Sequence, residues 1–242
     1  MTNDLHPFQD CSNCPINEMA LCSKCDDDER DQIKAIRTIQ TFAPGQDITV
    51  QGQSNGLVST IVEGVATVSR IMEDGQRQVA GLLFPEDIVT RPGESVASVD
   101  IVAKTPVTLC CFERGQFEDM VEEIPHLASR LSEIAFDERD EAREHLFLLG
   151  RTTSTERLAS FLAYLLHRKN RRVGPTQVIR LPLSRDEIGS FLGLALETVS
   201  RHLNAFARKG MIEIVDSRKI RILDLTALEN AAGSVPLRAE AS

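Results

Sequence analysis

The alternation of hydrophobic and polar positions changes its period along the chain. From about residue 42 to 113, short β-rich runs such as "DITVQG", "LVSTIVEGVATVSRI" and "SVDIVAKTPVTLCCF" are rich in β-branched residues. These runs are separated by turn signals at Pro44-Gly45, Asp74-Gly75 and Pro92-Gly93. Many short strands at this spacing predict an antiparallel β-roll or barrel. Just before the roll, a short helix is predicted from the one-face spacing of Ile33, Ile36 and Ile39.

A helical pattern follows the roll. It predicts a short helix, a break at Pro125 and a long helix that ends near Gly150. Apolar residues lie at near-heptad positions on the long helix: Leu127, Leu131, Ile134, Leu146 and Leu149. Such a stripe packs either in the core of its own domain or against a second copy of the chain. The charged segment "DERDEAREH" within it would fit poorly in a core and favours a dimer seam.

The C-terminal part has the signals of a helix-turn-helix. Ser184 and Glu187 form a capping-box pattern at the start of a helix that continues to about Leu192. A Gly193-Leu194 turn and a second helix, from about Ala195 to Lys209, come next. Gly210 has the position of a helix C-terminal glycine. The alternating residues around "DSRK" then predict a hairpin wing, and "AAGSVPLRAEAS" is expected to be a frayed tail.

These patterns together predict an α+β fold in four parts. Residues 1–31 are a cysteine-rich segment, and residues 32–118 are a β-roll sensory domain. Residues 119–150 are a dimerisation helix, and residues 151–242 are a winged helix-turn-helix domain.

Charge is distributed unevenly between these parts. Residues 1–150 carry a net charge of −15, whereas residues 151–224 carry +7. Because a polyanion attracts only the basic part, the C-terminal region is the one expected to meet nucleic acid. No apolar run has the length of a membrane span, and the N-terminus lacks the features of a secretory signal. We therefore expect a cytoplasmic protein with no membrane partner.

The second helix of the helix-turn-helix carries side chains that can read bases. Glu197, Ser200 and Arg201 lie at i, i+3 and i+4 and share one face. Arginine can pair with guanine and glutamate can accept from cytosine, so the pair could read one G·C base pair of double-stranded DNA. The alternative is an ordinary surface ion pair. Nearby basic residues supply partners for phosphates and favour DNA: Arg180, Arg185, Arg208, Lys209, Arg218 and Lys219.

The cysteines indicate a metal site. Four of the six lie within "CSNCPINEMALCSKC", residues 11–25. In a reducing compartment, clustered thiols are metal ligands more often than disulfides. Their spacing is specific for a metal but leaves zinc and an iron–sulfur cluster open. Cys110 and Cys111 are neighbours on a predicted strand and point to opposite faces, so only one of them can face such a site.

The segment "LSRDEIGSFLGLALETVSRHLNAFARKGMI" resembles the winged helix of the CRP/FNR superfamily. Within it, "ETVSR" is similar to the E-x-x-S-R signature of the FNR branch. The resemblance covers nearly the whole chain and implies an FNR-type, oxygen-sensing transcription regulator. It also implies that the antiparallel β-roll is a jelly roll like that of cyclic-nucleotide-binding domains. It implies a homodimer that binds palindromic sites with TTGAT half-sites through Glu197, Ser200 and Arg201. RNA polymerase is a further implied partner.

FNR-type regulators hold one [4Fe–4S] cluster per subunit on three N-terminal cysteines and one distant cysteine of the roll. By this resemblance, the ligands here are Cys11, Cys14, Cys22 and Cys110, with Cys25 as an alternative to Cys22. Cys111 is then expected to be a small buried residue. The alternative function is a DNA-binding regulator of the same family with a structural zinc or redox-active thiols. An enzyme is not expected, because no nucleophile–base arrangement or phosphate loop is found.

Cyclic-nucleotide-binding relatives hold the cyclic phosphate with an Arg-Ser pair before a "VRAKT"-like strand. The corresponding stretch here is "ESVASVDIVAKT", in which Ala97 and Ser98 stand at those two positions. Without the arginine, the phosphate has no bidentate partner. The resemblance therefore implies that this roll binds no cyclic nucleotide.

Overall fold

Short strands form the antiparallel roll that the alternating pattern predicts. The computed structural model describes residues 11–174 and 176–233. The strands of the roll are β1 (Arg37–Phe42), β2 (Asp47–Thr49), β3 (Leu57–Glu63), β4 (Ala66–Ile71), β5 (Arg77–Leu83), β6 (Ile88–Thr90), β7 (Asp100–Ala103) and β8 (Val107–Glu113). Within the described residues they pair as two four-stranded sheets, in the orders β1-β8-β3-β6 and β2-β7-β4-β5. The predicted fold class is confirmed.

The first sheet has buried side chains on both of its faces. One face packs against the second sheet, and the shared core contains Ile61, Ile101, Leu109 and Cys111. The opposite face is covered by three helices, namely α1 (Asp27–Ala35), α2 (Arg114–Glu123) and the first turns of α3 (Pro125–Arg151). This second core is what places the cysteine-rich segment beside the roll.

The helix α1 is shorter than the isoleucine spacing predicts. It begins at a capping box in which Asp26 accepts from the backbone N–H of Glu29, and the side chain of Glu29 accepts from the N–H of Asp26. Ile36 is already its C-terminal cap. Ile39 lies in β1, where it pairs with Cys110 of β8. The predicted single face of three isoleucines is therefore wrong at Ile39, because strand pairing takes over after Ala35.

The long helix α3 has the predicted bounds, but its stripe of leucines and isoleucines does not form one continuous seam. Leu127 is fully buried and Ile134 is 6% exposed in the core of this chain, against Phe117 and neighbouring residues. Leu131 packs at the edge of the same core. A side chain that is already buried has almost no area left to bury against a second copy. At Leu127 and Ile134 the amphipathic face therefore serves the chain's own core, and the dimer seam stays a prediction.

The chain divides into two compact units after Ala135, which lies within α3. The predicted dimerisation helix of residues 119–150 therefore contributes to both units. Within the described residues, no helix is long and apolar enough to cross a lipid bilayer.

The second unit contains the predicted winged helix-turn-helix. Its elements after α3 are α4 (Ser154–Val173), β9 (Val178–Arg180), α5 (Arg185–Leu192), α6 (Leu196–Arg208), β10 (Ile212–Ile214), β11 (Lys219–Ile222) and α7 (Leu225–Ala232). Strands β10 and β11 form the predicted wing, and β9 pairs with the other edge of β11. Strand β9 and helix α7 were not predicted from the sequence. The predicted frayed tail begins inside α7, and its residues 234–242 lie outside the described part of the chain.

Candidate nucleic-acid interface and cysteine site

The N-terminal cysteines lie in a series of tight turns. A short 3-10 helix (Cys11–Asn13) begins the segment, and the backbone N–H of Cys14 donates to the carbonyl of Cys11 at 3.2 Å. The N–H of Cys25 donates to the carbonyl of Cys22 in the same way, also at 3.2 Å. Between these turns, Ile16 and Ala20 are buried and fix the segment against the roll.

Strand register decides which roll cysteine faces this segment. Cys110 pairs with Ile39 of β1 and Thr60 of β3, and Cys111 pairs with the preceding residue of each strand, Thr38 and Ser59. Because side chains alternate along a strand, the side chains of the two cysteines point to opposite faces of the sheet. Cys111 is completely buried between the sheets. Cys110 faces the other way, toward the cysteine-rich segment.

Four cysteines from two distant parts of the sequence meet on this face. Cys14, Cys22 and Cys110 all pack against one small apolar cluster formed by Ile16, Ala20 and Val62. Cys11 lies close enough to raise the pKa of Cys14, Cys22 and Cys110 as a neighbouring negative charge. Burial is the larger cause of each of these three raised pKa values. These are the four cysteines that the family resemblance implies as ligands.

Cys25 lies in a different environment. It is 3% exposed and belongs to the core that contains Leu21, Ile33 and Phe117. Burial, and secondly the charge of Glu29, raise the pKa of its thiol to about 11. Of the four grouped cysteines, only Cys22 lies close enough for its charge to contribute to this raised pKa. Cys22 therefore fits the group better than Cys25 does.

The four thiols are grouped without being arranged as a single-ion site. Among the described residues, no set of three or more His, Cys, Asp or Glu side chains is arranged to hold one metal ion. The chemistry of the donor set fits an iron–sulfur cluster, which is held in proteins by four cysteine thiolates.

Two arginines that the sequence analysis did not single out contact the cysteine-rich segment. Arg37, the first residue of β1, donates from Nη1 to Sγ of Cys11 at 3.3 Å. Arg130, on the first turns of α3, donates from Nη2 to the carbonyl of Met19 at 2.7 Å and from Nε to the carbonyl of Ala20 at 3.4 Å. No sequence signal identifies either residue, because both contacts join positions far apart in the chain.

In the second unit, local signals position the helix-turn-helix. The Ser184 hydroxyl accepts from the N–H of Glu187 at 3.2 Å, and the carboxylate of Glu187 accepts from the N–H of Ser184 at 2.7 Å. Gly193 ends α5 with φ +62°. Gly189 allows the turn to close, because a Cβ there would lie 2.4 Å from the carbonyl oxygen of Leu194. The predicted capping box and turn are therefore present.

Helix α6 buries one face and exposes the other. Val199, Leu203 and Phe206 are buried in the domain core. His202 is also directed inward, where its Nε2 lies 2.8 Å from the hydroxyl of Ser154 in α4. Burial, and secondly the charge of Arg201, lower the pKa of His202. These contacts fix the rotation of α6 about its axis.

The exposed face of α6 carries the predicted base-reading residues. Glu197 and Arg201 are exposed, and Ser200 is half-buried beneath them. No ion pair joins Glu197 to Arg201 among the described side chains, and Arg201 contacts Thr198 at 3.5 Å instead. Arg185, at the start of α5, donates to the hydroxyl of Ser200 at 3.3 Å. The geometry brings Arg185 to the same surface as the three residues of α6.

The predicted phosphate partners differ in solvent exposure and in their contacts within the chain. Four of them are exposed: Arg180, Arg208, Lys209 and Lys219. Arg218 is half-buried and donates to the carbonyl of Pro182 at 3.1 Å, so it also holds the wing against the segment before α5. The basic charge of this unit is therefore available around α6 and the wing.

Comparisons with known proteins agree with this architecture. Residues 39–123 match the cyclic nucleotide-binding domain, and residues 156–231 match the Crp-like helix-turn-helix domain. The chain is 40% identical over 227 residues to the transcriptional activator protein FnrL of Cereibacter sphaeroides, covering 92% of both chains. The chain belongs to the CRP/FNR family of transcription regulators.

Other family members are similar over comparable lengths. The nitrogen fixation regulation protein FixK of Bradyrhizobium diazoefficiens is 32% identical over 226 residues, which cover 93% of this chain and 94% of that protein. The solved structure of FixK2 from Bradyrhizobium japonicum superposes with a TM-score of 0.74 at 26% identity, covering 82% of this chain and 98% of that chain. As a member of this family, the chain is a DNA-binding transcription regulator rather than an enzyme.

Proposed function

We propose that this regulator responds to oxygen through one [4Fe–4S] cluster per subunit, held by Cys11, Cys14, Cys22 and Cys110. The observation that supports the proposal is that Cys14, Cys22 and Cys110, from two distant parts of the sequence, pack on one apolar cluster beside the roll, with Cys11 close to them. A cluster bound there would supply a redox-active centre that oxygen can destroy. Since the thiols of Cys14, Cys22 and Cys110 have raised pKa values, they would release protons on binding iron.

The experiment is metal analysis of protein purified under nitrogen. We expect four iron atoms per chain, a similar amount of acid-labile sulfide and a brown colour. Each cysteine is then replaced by alanine in turn. The four proposed ligands should each be required, whereas Cys25→Ala and Cys111→Ala are matched controls that should keep the iron. Colourless protein with one zinc per chain would instead support the zinc alternative. Loss of iron in Cys25→Ala but not in Cys22→Ala would contradict the assignment of Cys22 as the third N-terminal ligand.

The DNA-binding form is proposed to be a homodimer. Three large apolar side chains on the second half of α3 are exposed in the single chain: Phe136 at 56%, Leu146 at 67% and Phe147 at 63%. A surface of this kind is typical of a protein contact. Two recognition helices related by a two-fold axis would then read the two halves of a palindrome of the TTGAT-N4-ATCAA type. RNA polymerase remains a proposed partner by family resemblance.

The cysteine-rich segment is connected to the start of α3 within the first unit. Arg130 binds the carbonyls of Met19 and Ala20, which lie between Cys14 and Cys22. Lys24 of the segment also pairs with Glu133 of α3. A change in the cysteine segment would therefore act on the first turns of α3. We expect sedimentation to show a dimer under nitrogen and a weakly DNA-binding monomer after air. A dimer with unchanged DNA affinity after loss of iron would contradict this mechanism.

The roll is proposed to bind no cyclic nucleotide, although it matches the cyclic nucleotide-binding domain. Ala97 is buried at the position where relatives that bind the nucleotide have arginine. The carboxylate of Glu94 accepts from both the N–H and the hydroxyl of Ser98, at 3.2 and 2.7 Å. Without a guanidinium partner, a cyclic phosphate would be desolvated without compensation. Calorimetry should show no heat of cAMP binding, and a micromolar affinity would overturn this proposal.

A further inference from the structure

Arg37 lies on the face of the sheet that carries Cys110 and reaches the N-terminal cysteines from there. It begins β1 and pairs with Phe112 of β8, and two residues later Ile39 pairs with Cys110. Alternation along the strands therefore puts Arg37 and Cys110 on the same face of the sheet, the face on which the four thiols meet. From there the guanidinium reaches the N-terminal segment and donates from Nη1 to Sγ of Cys11 at 3.3 Å.

The charge of Arg37 acts on more than one cysteine. It opposes the effect of burial by lowering the pKa of both Cys14 and Cys110. Two other arginines near the segment, Arg30 and Arg130, are arranged differently. Arg30 donates to the backbone carbonyls of Cys22 and Ser23, at 3.3 and 3.1 Å, and Arg130 donates to those of Met19 and Ala20, so their hydrogen bonds hold the backbone rather than a sulfur. Among the described residues, Arg37 is therefore the arginine with a hydrogen bond to one of the grouped sulfur atoms.

We propose that Arg37 is a positioning residue for the cluster: its guanidinium orients Cys11 as a ligand and compensates the negative charge of the four thiolates. This proposal rests on the proposed function. Hydrogen bonds to ligand sulfurs and nearby charge are the main means by which a protein adjusts an iron–sulfur site. A positive charge at this place favours the more negatively charged, reduced form of the site. Arg37 thus raises the reduction potential and retains the iron.

The test compares Arg37→Met with wild-type protein under nitrogen. Methionine fills similar space but carries neither the charge nor the N–H donors. We expect iron to be lost to a chelator with an apparent affinity about 10- to 100-fold weaker, the usual effect of removing a hydrogen bond to a metal ligand. The reduction potential of variant protein that still carries its full iron should be more negative than that of wild type. A purely structural role would not shift the potential at full occupancy.

Two further variants control for charge and folding. Arg37→Lys keeps the charge and should restore most of the potential, but only part of the iron retention. Arg70→Met removes a positive charge from the same roll, at a side chain that donates to the carbonyl of Ser98, and should change neither quantity. Urea unfolding of the iron-free proteins tests whether Arg37→Met is as stable as wild type, as we expect. If Arg37→Met unfolds in less urea and Arg37→Lys restores neither iron nor potential, the role is structural and the proposal is overturned.

The outcomes distinguish this proposal from the function on which it rests. Wild-type protein without iron and sulfide would overturn the proposed function itself. Wild-type protein with a full cluster, together with an Arg37→Met variant that has the same iron release and the same potential, would overturn only the role of Arg37. Faster iron release and a more negative potential, both partly restored by lysine, would support the proposal.

Discussion

A matched pair of leucines on α3 tests how the helix divides between core and interface. Leu127 is fully buried, whereas Leu146 is 67% exposed, and both lie on the same helix. Replacing each by alanine removes the same atoms from the two environments. Leu127→Ala leaves a cavity beside Phe117 and Ile134, so the free energy of unfolding should fall by about 2–5 kcal/mol. Leu146→Ala should change it by no more than about 0.5 kcal/mol.

The affinity of the dimer should respond in the opposite order, with a larger loss in Leu146→Ala than in Leu127→Ala. If Leu146 is buried between two copies, its truncation would weaken association by about 1.5–3 kcal/mol for each copy. Because about 1.4 kcal/mol corresponds to a tenfold change in affinity and the dimer contains two copies, the dissociation constant should rise at least about a hundredfold. Urea unfolding of the dilute chain measures the first effect, and sedimentation of iron-loaded protein under nitrogen measures the second. Equal losses of stability in the two variants, or a Leu146→Ala dimer as tight as wild type, would refute this division of the helix.

Other predictions concern the second unit. Gly189→Ala should destabilise it by about 1–3 kcal/mol and reduce DNA binding, because the new Cβ meets the carbonyl of Leu194; wild-type unfolding and binding would contradict this. Arg201→Ala should weaken the free energy of binding to the palindrome by about 1–3 kcal/mol and relax discrimination at one G·C pair. Lys209→Ala should weaken binding to all DNA sequences alike and flatten the salt dependence of binding. Equal losses of affinity for Arg201→Ala on specific and random DNA would disprove base reading. Burial lowers the pKa of His145, so stability should be lost as the pH falls below the unfolded value of about 6.5, and an unchanged pH profile in His145→Gln would exclude this residue as the cause.

The helix-turn-helix could be predicted in detail because its signals are local. The capping box at Ser184, the left-handed Gly193 and the glycine at Gly210 each determine the backbone within a few residues. The helix α7 had a signal of the same kind, since Asp224 accepts from the N–H of Ala227 at 2.9 Å, but the sequence analysis did not use it. Strand β9 is only three residues long and depends on pairing with β11, which the sequence does not show.

The remaining features depend on contacts between distant residues. The spacing of Leu127, Leu131 and Ile134 is the same for a dimer seam as for a stripe that packs on its own domain. Burial against α1 and α2 decides between the two, and periodicity contains no information about it. Similarly, alternation along β8 shows that Cys110 and Cys111 point to opposite faces of the sheet. Which of these faces the N-terminal segment covers depends on its packing, which the sequence does not show.

The connection between the cysteine-rich segment and α3 has the strength that a reversible switch requires. Lys24 with Glu133 is an exposed pair and contributes little, because solvent screens its charges, and the exposed His126 pairs with the half-buried Glu29 of α1. The two bonds of half-buried Arg130 to carbonyls add about 1.5–3 kcal/mol each at most, since their donor is charged. A total of a few kcal/mol can change a two-state population nearly completely, yet it remains small enough to be reversed by loss of the ligands that hold the segment. A connection built from core side chains such as Leu127 could not be released without unfolding the first unit.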